Sequence, residues 1–94
     1  IRGGSIFRLN AKIIPERDQS VTIFLRGSII NSSWIPLQKH LNRFFKEGKR
    51  VTLDITETKL MDRRVMAKVD EWAKKFKENG LELTVRAKKT SIDE

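Results

Sequence analysis

With 94 residues the chain has room for one domain built on one core. It has no cysteine, which excludes disulfides, thiolate chemistry and zinc sites built on sulfur. Charged residues make up 34% and the formal net charge is +8, which favours anionic partners without selecting among nucleic acid, acidic protein and anionic lipid.

No run reaches the about 20 apolar residues that a membrane-crossing helix needs, and no basic segment leads into a hydrophobic stretch as in a signal peptide. The first residue is Ile1 rather than Met. The sequence is therefore expected to be a fragment of a longer protein, with any spanning part outside it. One domain over residues 1–94 is expected, with flexible ends at about 1–5 and 88–94.

From Ile6 the chain alternates, with Ile6, Phe7, Leu9, Ala11 and Ile13 set against Arg8, Asn10 and Lys12. That period of two predicts a half-buried strand. The polar run Pro15-Glu16-Arg17-Asp18-Gln19-Ser20 suits a turn. Val21-Thr22-Ile23-Phe24-Leu25 predicts a second strand, apolar enough to be central and covered on both faces, and Gly27-Ser28 should end it.

Asn31-Ser32-Ser33 offers capping side chains, and Pro36 fits a first helical turn. Trp34, Leu37, Leu41, Phe44 and Phe45 then recur at helical spacing, up to a stop at Gly48. Val51-Thr52-Leu53-Asp54-Ile55 predicts a third strand and residues 56–61 a loop. Asp62 suits the cap of a second helix, whose stripe is Val65, Val69, Trp72, Ala73 and Phe76. Asp70 with Lys74, and Glu71 with Lys75, have the spacing for ion pairs along that helix. Asn79-Gly80 closes it, and Leu81-Glu82-Leu83-Thr84-Val85 alternates as a fourth strand.

The predicted order is β-β-α-β-α-β, an α/β domain with a four-stranded, mostly parallel mixed sheet and helices packed against it. The last three strands should be parallel through right-handed crossovers, and the first should join antiparallel through a hairpin.

In this order the chain resembles the sulfate transporter and anti-sigma factor antagonist (STAS) domain over about residues 6–87. The best-matching stretches are Val51-Thr52-Leu53-Asp54-Ile55, Leu60-Met61-Asp62 and Gly80-Leu81-Glu82-Leu83. Gly27-Ser28-Ile29-Ile30-Asn31-Ser32-Ser33-Trp34 and Asp62-Arg63-Arg64-Val65-Met66 look like the variant found at the C-terminal, cytoplasmic end of SulP-type anion transporters. Anti-sigma antagonists carry Asp-Ser-Ser/Thr-Gly at the start of the second helix, and the first Ser is phosphorylated. Here Arg63 stands at that Ser and Val65 at the Gly, so no phosphorylation site is expected.

The resemblance implies a regulatory, protein-contacting domain of a sulfate- or bicarbonate-like transporter. It would sit on the cytoplasmic side of the membrane, with no cofactor. Its partner would be the transmembrane part of the parent transporter, with an acidic cytoplasmic protein, a nucleotide or inner-leaflet lipid as further partners. Partner switching without the phosphorylatable Ser is the alternative.

The residues themselves carry little catalytic chemistry. His40 is the one histidine and has no partner in sequence; it reads as a helix-surface side chain, not a metal ligand. Asp54 near a strand end and Asp62 at a helix cap do not read as an acid–base pair. No nucleophile elbow, phosphate loop or zinc signature occurs, so the domain is not expected to be an enzyme. Arg63 and Arg64 open a helix beside the carboxyl ends of parallel strands, a setting that favours an anion or an acidic surface. Together with Lys59, Leu60, Met61 and Asp62 they form the candidate contact edge. Met61 is either exposed there or an anchor in the core. The basic residues are spread and the aromatics follow core spacing, so no specific nucleic-acid binding is expected.

Overall fold

A computed structural model describes residues 10–87. The elements run β1 (Ala11–Pro15), β2 (Ser20–Ile29), α1 (Trp34–Lys46), β3 (Arg50–Met61), α2 (Arg63–Glu78) and β4 (Leu83–Arg86). The sheet order is β1-β2-β3-β4. β1 pairs antiparallel to β2, while β2, β3 and β4 are parallel neighbours. The predicted α/β class, element order and pairing sense all hold. The start of the first predicted strand and both expected flexible ends lie outside the described residues.

Successive right-handed crossovers that step the same way across a sheet leave their helices on the same face. Both helices do lie together: the Phe45 ring of α1 is 5.9 Å from Trp72 and 5.3 Å from Phe76 of α2. The core is therefore a single layer between sheet and helices. Val21, Ile23, Leu25, Val51, Leu53 and Leu83 supply the sheet side; Leu37, Leu41, Phe44, Val65, Val69 and Phe76 supply the helix side. β2 is consequently not covered on both faces as its composition predicts. Thr22 and Phe24 alternate with its buried residues and are only half-buried.

Both helices end in the same way. Gly48 N–H donates to Phe45 O at 3.1 Å and Lys49 N–H to Phe44 O at 2.9 Å; Gly80 repeats the pattern with Lys77 at 3.1 Å, and Leu81 with Phe76 at 2.8 Å. This paired closure needs a residue with positive φ, and the two glycines adopt +70° and +75°.

The start of α1 differs from expectation. Asn31–Ser33 form a 3₁₀ turn, and no side chain caps α1 itself. Ser33 is buried, and its Oγ accepts from Ile30 N–H at 3.2 Å. The expected pairs of Asp70 with Lys74 and Glu71 with Lys75 are not among the ion pairs of the described residues. Lys75 Nζ instead lies 4.6 Å from the centre of the Trp72 ring. The attraction of an ammonium to a ring face exceeds what an exposed ion pair returns. Trp34 joins the core, whereas Trp72 is only half-buried at its margin.

The largest departure is in β3. Residues 56–61, predicted as a loop, continue the strand and pair with the end of β2 past Gly27-Ser28. The register explains the length. Ser20 to Phe24 pair with Arg50 to Asp54, then Arg26 pairs with Glu57 and Gly27 with Thr58, then Ser28 with Leu60 and Ile29 with Met61. Each shift inserts one extra residue into β3, and the two bulges account for its 12 residues against 10 in β2.

Candidate functional site

The two bulges place the candidate edge. Asp54 is buried and sits just before the first one. Its Oδ1 accepts from Thr56 N–H at 2.9 Å and from Thr56 Oγ1–H at 2.6 Å, so one carboxylate ties down the extra residue. Arg86 Nη1 lies 3.9 Å from its other oxygen, joining β4 to the same point. Thr58 Oγ1–H donates to Ile55 O at 2.7 Å and steadies the segment between the bulges. Asp54 thus acts as a structural tie at the bulge. Asp62 lies at the far end of β3 with its own partner.

Asp62 is the cap the sequence predicts. Its Oδ1 accepts from Arg64 N–H at 2.8 Å, and its own N–H donates to Ile29 O at 2.8 Å. The cap fixes where strand becomes helix, a role worth about 1 kcal/mol.

Of the other candidate residues, Lys59, Leu60, Arg63 and Arg64 are exposed, with Leu60 at 55%. Lys59, Leu60 and Met61 belong to a strand end, not to a loop. Met61 is half-buried and packs against the core, so it anchors the strand end. Ser28 pairs with Leu60, and Ile29 with Met61, so Ile30 leaves the sheet at the same end. Ile30 is 46% exposed, and Ile35 in the first turn of α1 is 45% exposed. Neither stands out in sequence. The one available signal is that Ile35 falls outside the helical stripe of Trp34, Leu37 and Leu41. The edge thus carries three exposed aliphatic side chains together with the cations Lys59, Arg63 and Arg64.

The two arginines occupy the positive end of the α2 dipole, where a cation is disfavoured by about 0.3–1 kcal/mol. Neither forms an ion pair among the described residues. A local conflict of this kind is characteristic of functional positions.

Elsewhere the described residues hold no group of three or more His, Asp or Glu side chains placed to bind a metal. His40 is half-buried on α1, and burial first, then the nearby Arg43 charge, lowers its pKa from the ordinary 6.5. A lowered pKa means that the unfolded chain takes up the proton more readily, so this contribution to stability is full above the unfolded-state pKa of about 6.5 and is lost as pH drops from there toward the folded-state value. The expected result is an imidazole NMR titration with its midpoint below 6.5. His40→Gln should flatten the stability profile in that window.

No helix among the described residues is long and apolar enough to cross a membrane. No family model matches the sequence, and no characterised protein matches it in sequence. The fold is similar to part of a larger protein called Mglu. One Mglu crystal structure aligns over 88% of this chain with a TM-score of 0.67 and 13% identity. Mglu in its native form aligns over 82% with a TM-score of 0.66 and 13% identity. Mglu in its L-glutamate-binding form in 4.3 M NaCl aligns over 83% with a TM-score of 0.66 and 11% identity. The match spans only 20%, 23% and 26% of those chains, in the same order. At such identity the likeness is one of fold: this α/β arrangement also occurs as one portion of a longer chain.

Proposed function

We propose that this domain is a non-catalytic, STAS-type regulatory module of a SulP-type anion transporter, acting through contact at the edge formed by the end of β3 and the start of α2. The observation that carries the reading is the composition of that edge. Exposed Leu60, Ile30 and Ile35 lie with Lys59, Arg63 and Arg64 at one end of the sheet, on a strand end set by two bulges. Such an edge suits an acidic partner surface with its own apolar residues, either in the transmembrane part of the parent protein or in a cytoplasmic regulator. The β-β-α-β-α-β order and the Asp62 cap support the same reading. The proposed location is the cytoplasmic side of the membrane.

The first test is the reading frame around this sequence, which should encode a block of hydrophobic helices upstream; a frame without one overturns the proposal. The second is anion uptake by the full-length protein carrying Leu60→Asp with Arg63→Glu. Uptake should change by about tenfold, as loss of a central apolar contact and reversal of a charge imply. Uptake equal to the parent's at equal membrane abundance would remove this edge from regulation.

A further inference from the structure

The opposite end of the sheet holds a cleft of about 570 Å³ that the edge described above does not use. Its walls come from the start of β3 (Arg50), the last turns of α2 (Ala73, Lys74, Lys77), and Leu81 and Glu82 leading into the first residue of β4, Leu83. The strand directions set it apart from both ends of the described chain. β1 is antiparallel to β2, so Asn10 and Ala87 leave the sheet at the end where β3 finishes, while the cleft lies where β3 and β4 begin.

We propose that this cleft binds a small organic phosphate, a phosphoryl group carried on an apolar body. Three cations and one carboxylate line it, a net of three minus one, or +2, which matches a phosphate monoester dianion. None of Arg50, Lys74 and Lys77 forms an ion pair among the described residues, although Arg43, Lys49 and Arg86 do. Their charge is thus only partly offset, by Glu82, around one concavity. Arg50 is held in place: its Nη2–H donates to Asp18 O at 2.9 Å, and its backbone N–H to Gln19 O at 2.9 Å. The β1–β2 hairpin therefore fixes the guanidinium at the start of β3, where it adds one positive charge at the margin of the cleft. Lys74 and Lys77, one helical turn apart on α2, supply two movable ammonium donors. Ala73, Leu81 and Leu83 give the apolar surface that a bare anion would not need. The volume lies in the range of small-molecule sites, which span about 300–1,000 Å³. The proposal does not rest on the transporter reading.

The test is backbone amide NMR of the 94-residue chain titrated with octyl phosphate, inorganic phosphate and octanol. Octyl phosphate should move the amides of Ala73, Lys77, Gly80, Leu81 and Leu83 saturably, with a Kd of about 0.1–1 mM for an unoptimised probe. Inorganic phosphate and octanol should each bind about tenfold more weakly, since each satisfies only half of the site. Lys74→Ala with Lys77→Ala should weaken octyl phosphate binding about tenfold or more, and Glu82→Gln should strengthen it. Both lysines are exposed, so the double variant should keep its dispersed spectrum. Three outcomes would overturn the proposal: no saturation by about 10 mM, equal shifts around Lys12, Lys39 and Arg63, or affinity unchanged in the double variant.

Discussion

Replacing Phe76 with alanine should lower the unfolding free energy by about 3–5 kcal/mol, measured as a fall in urea midpoint at unchanged slope. Phe76 is fully buried and is among the largest such side chains in the domain. It closes a trio of rings, 5.3 Å from Phe45 and 6.2 Å from Trp72, and so joins the two helices as well as filling the layer beneath α2. Its carbonyl also accepts the Leu81 N–H that ends α2. Val69 and Leu83 belong to the same buried layer, and protein interiors are close-packed, so a cavity there is filled only in part by relaxation. Small domains have a total stability of about 5–15 kcal/mol, so the variant should sit near its unfolding transition at 37 °C. Phe76→Leu, which keeps most of the volume, should recover more than half of the loss. Equal losses in the two variants would show that ring packing, not volume, sets the stability.

The second large effect is expected at Asp54. Asp54→Ala should cost about 1–2 kcal/mol, because it frees the Thr56 N–H and removes a charge-assisted bond from Thr56 Oγ1 in a part-buried setting. Asp54→Asn keeps an acceptor of the same shape and should cost about half as much. The informative readout is local. Because the carboxylate holds the first bulge of β3, the alanine variant should shift amides along residues 55–61 and leave those of the cleft around Leu81 in place. If the whole spectrum changes instead, the bulge is a cooperative part of the core. If residues 55–61 do not move, Asp54 is not what sets the edge.

These expectations bear on function through geometry. The contact edge depends on a strand that gains two residues on its neighbour, which brings the exposed Leu60 opposite Ser28. The proposed anion cleft depends on the cations of β3 and α2 at the other end, which form no ion pair among the described residues. The two sites share β3 and α2, which carry Arg50 at one end and Asp62 to Arg64 at the other.

Most of the architecture was legible in the order of residues, and for a local reason. The helical stripes of α1 and α2, the Asp62 cap, the glycines at 48 and 80 and the alternation of Leu83-Thr84-Val85 each act within a few residues of themselves. Lys59, Leu60, Asp62, Arg63 and Arg64 could be placed at one strand-to-helix junction for the same reason, since the Asp62 cap announces it. Three features were settled only in three dimensions. Residues 56–61 lack a period of two because two bulges interrupt it, and only pairing with β2 makes them strand. β2 reads as doubly covered, yet both crossovers place their helices on one face, a matter of handedness that no single segment encodes. The cleft brings Arg50 beside Lys74 and Lys77 from separate elements, and shared position of that kind arises only when chain segments distant in sequence are packed against one another.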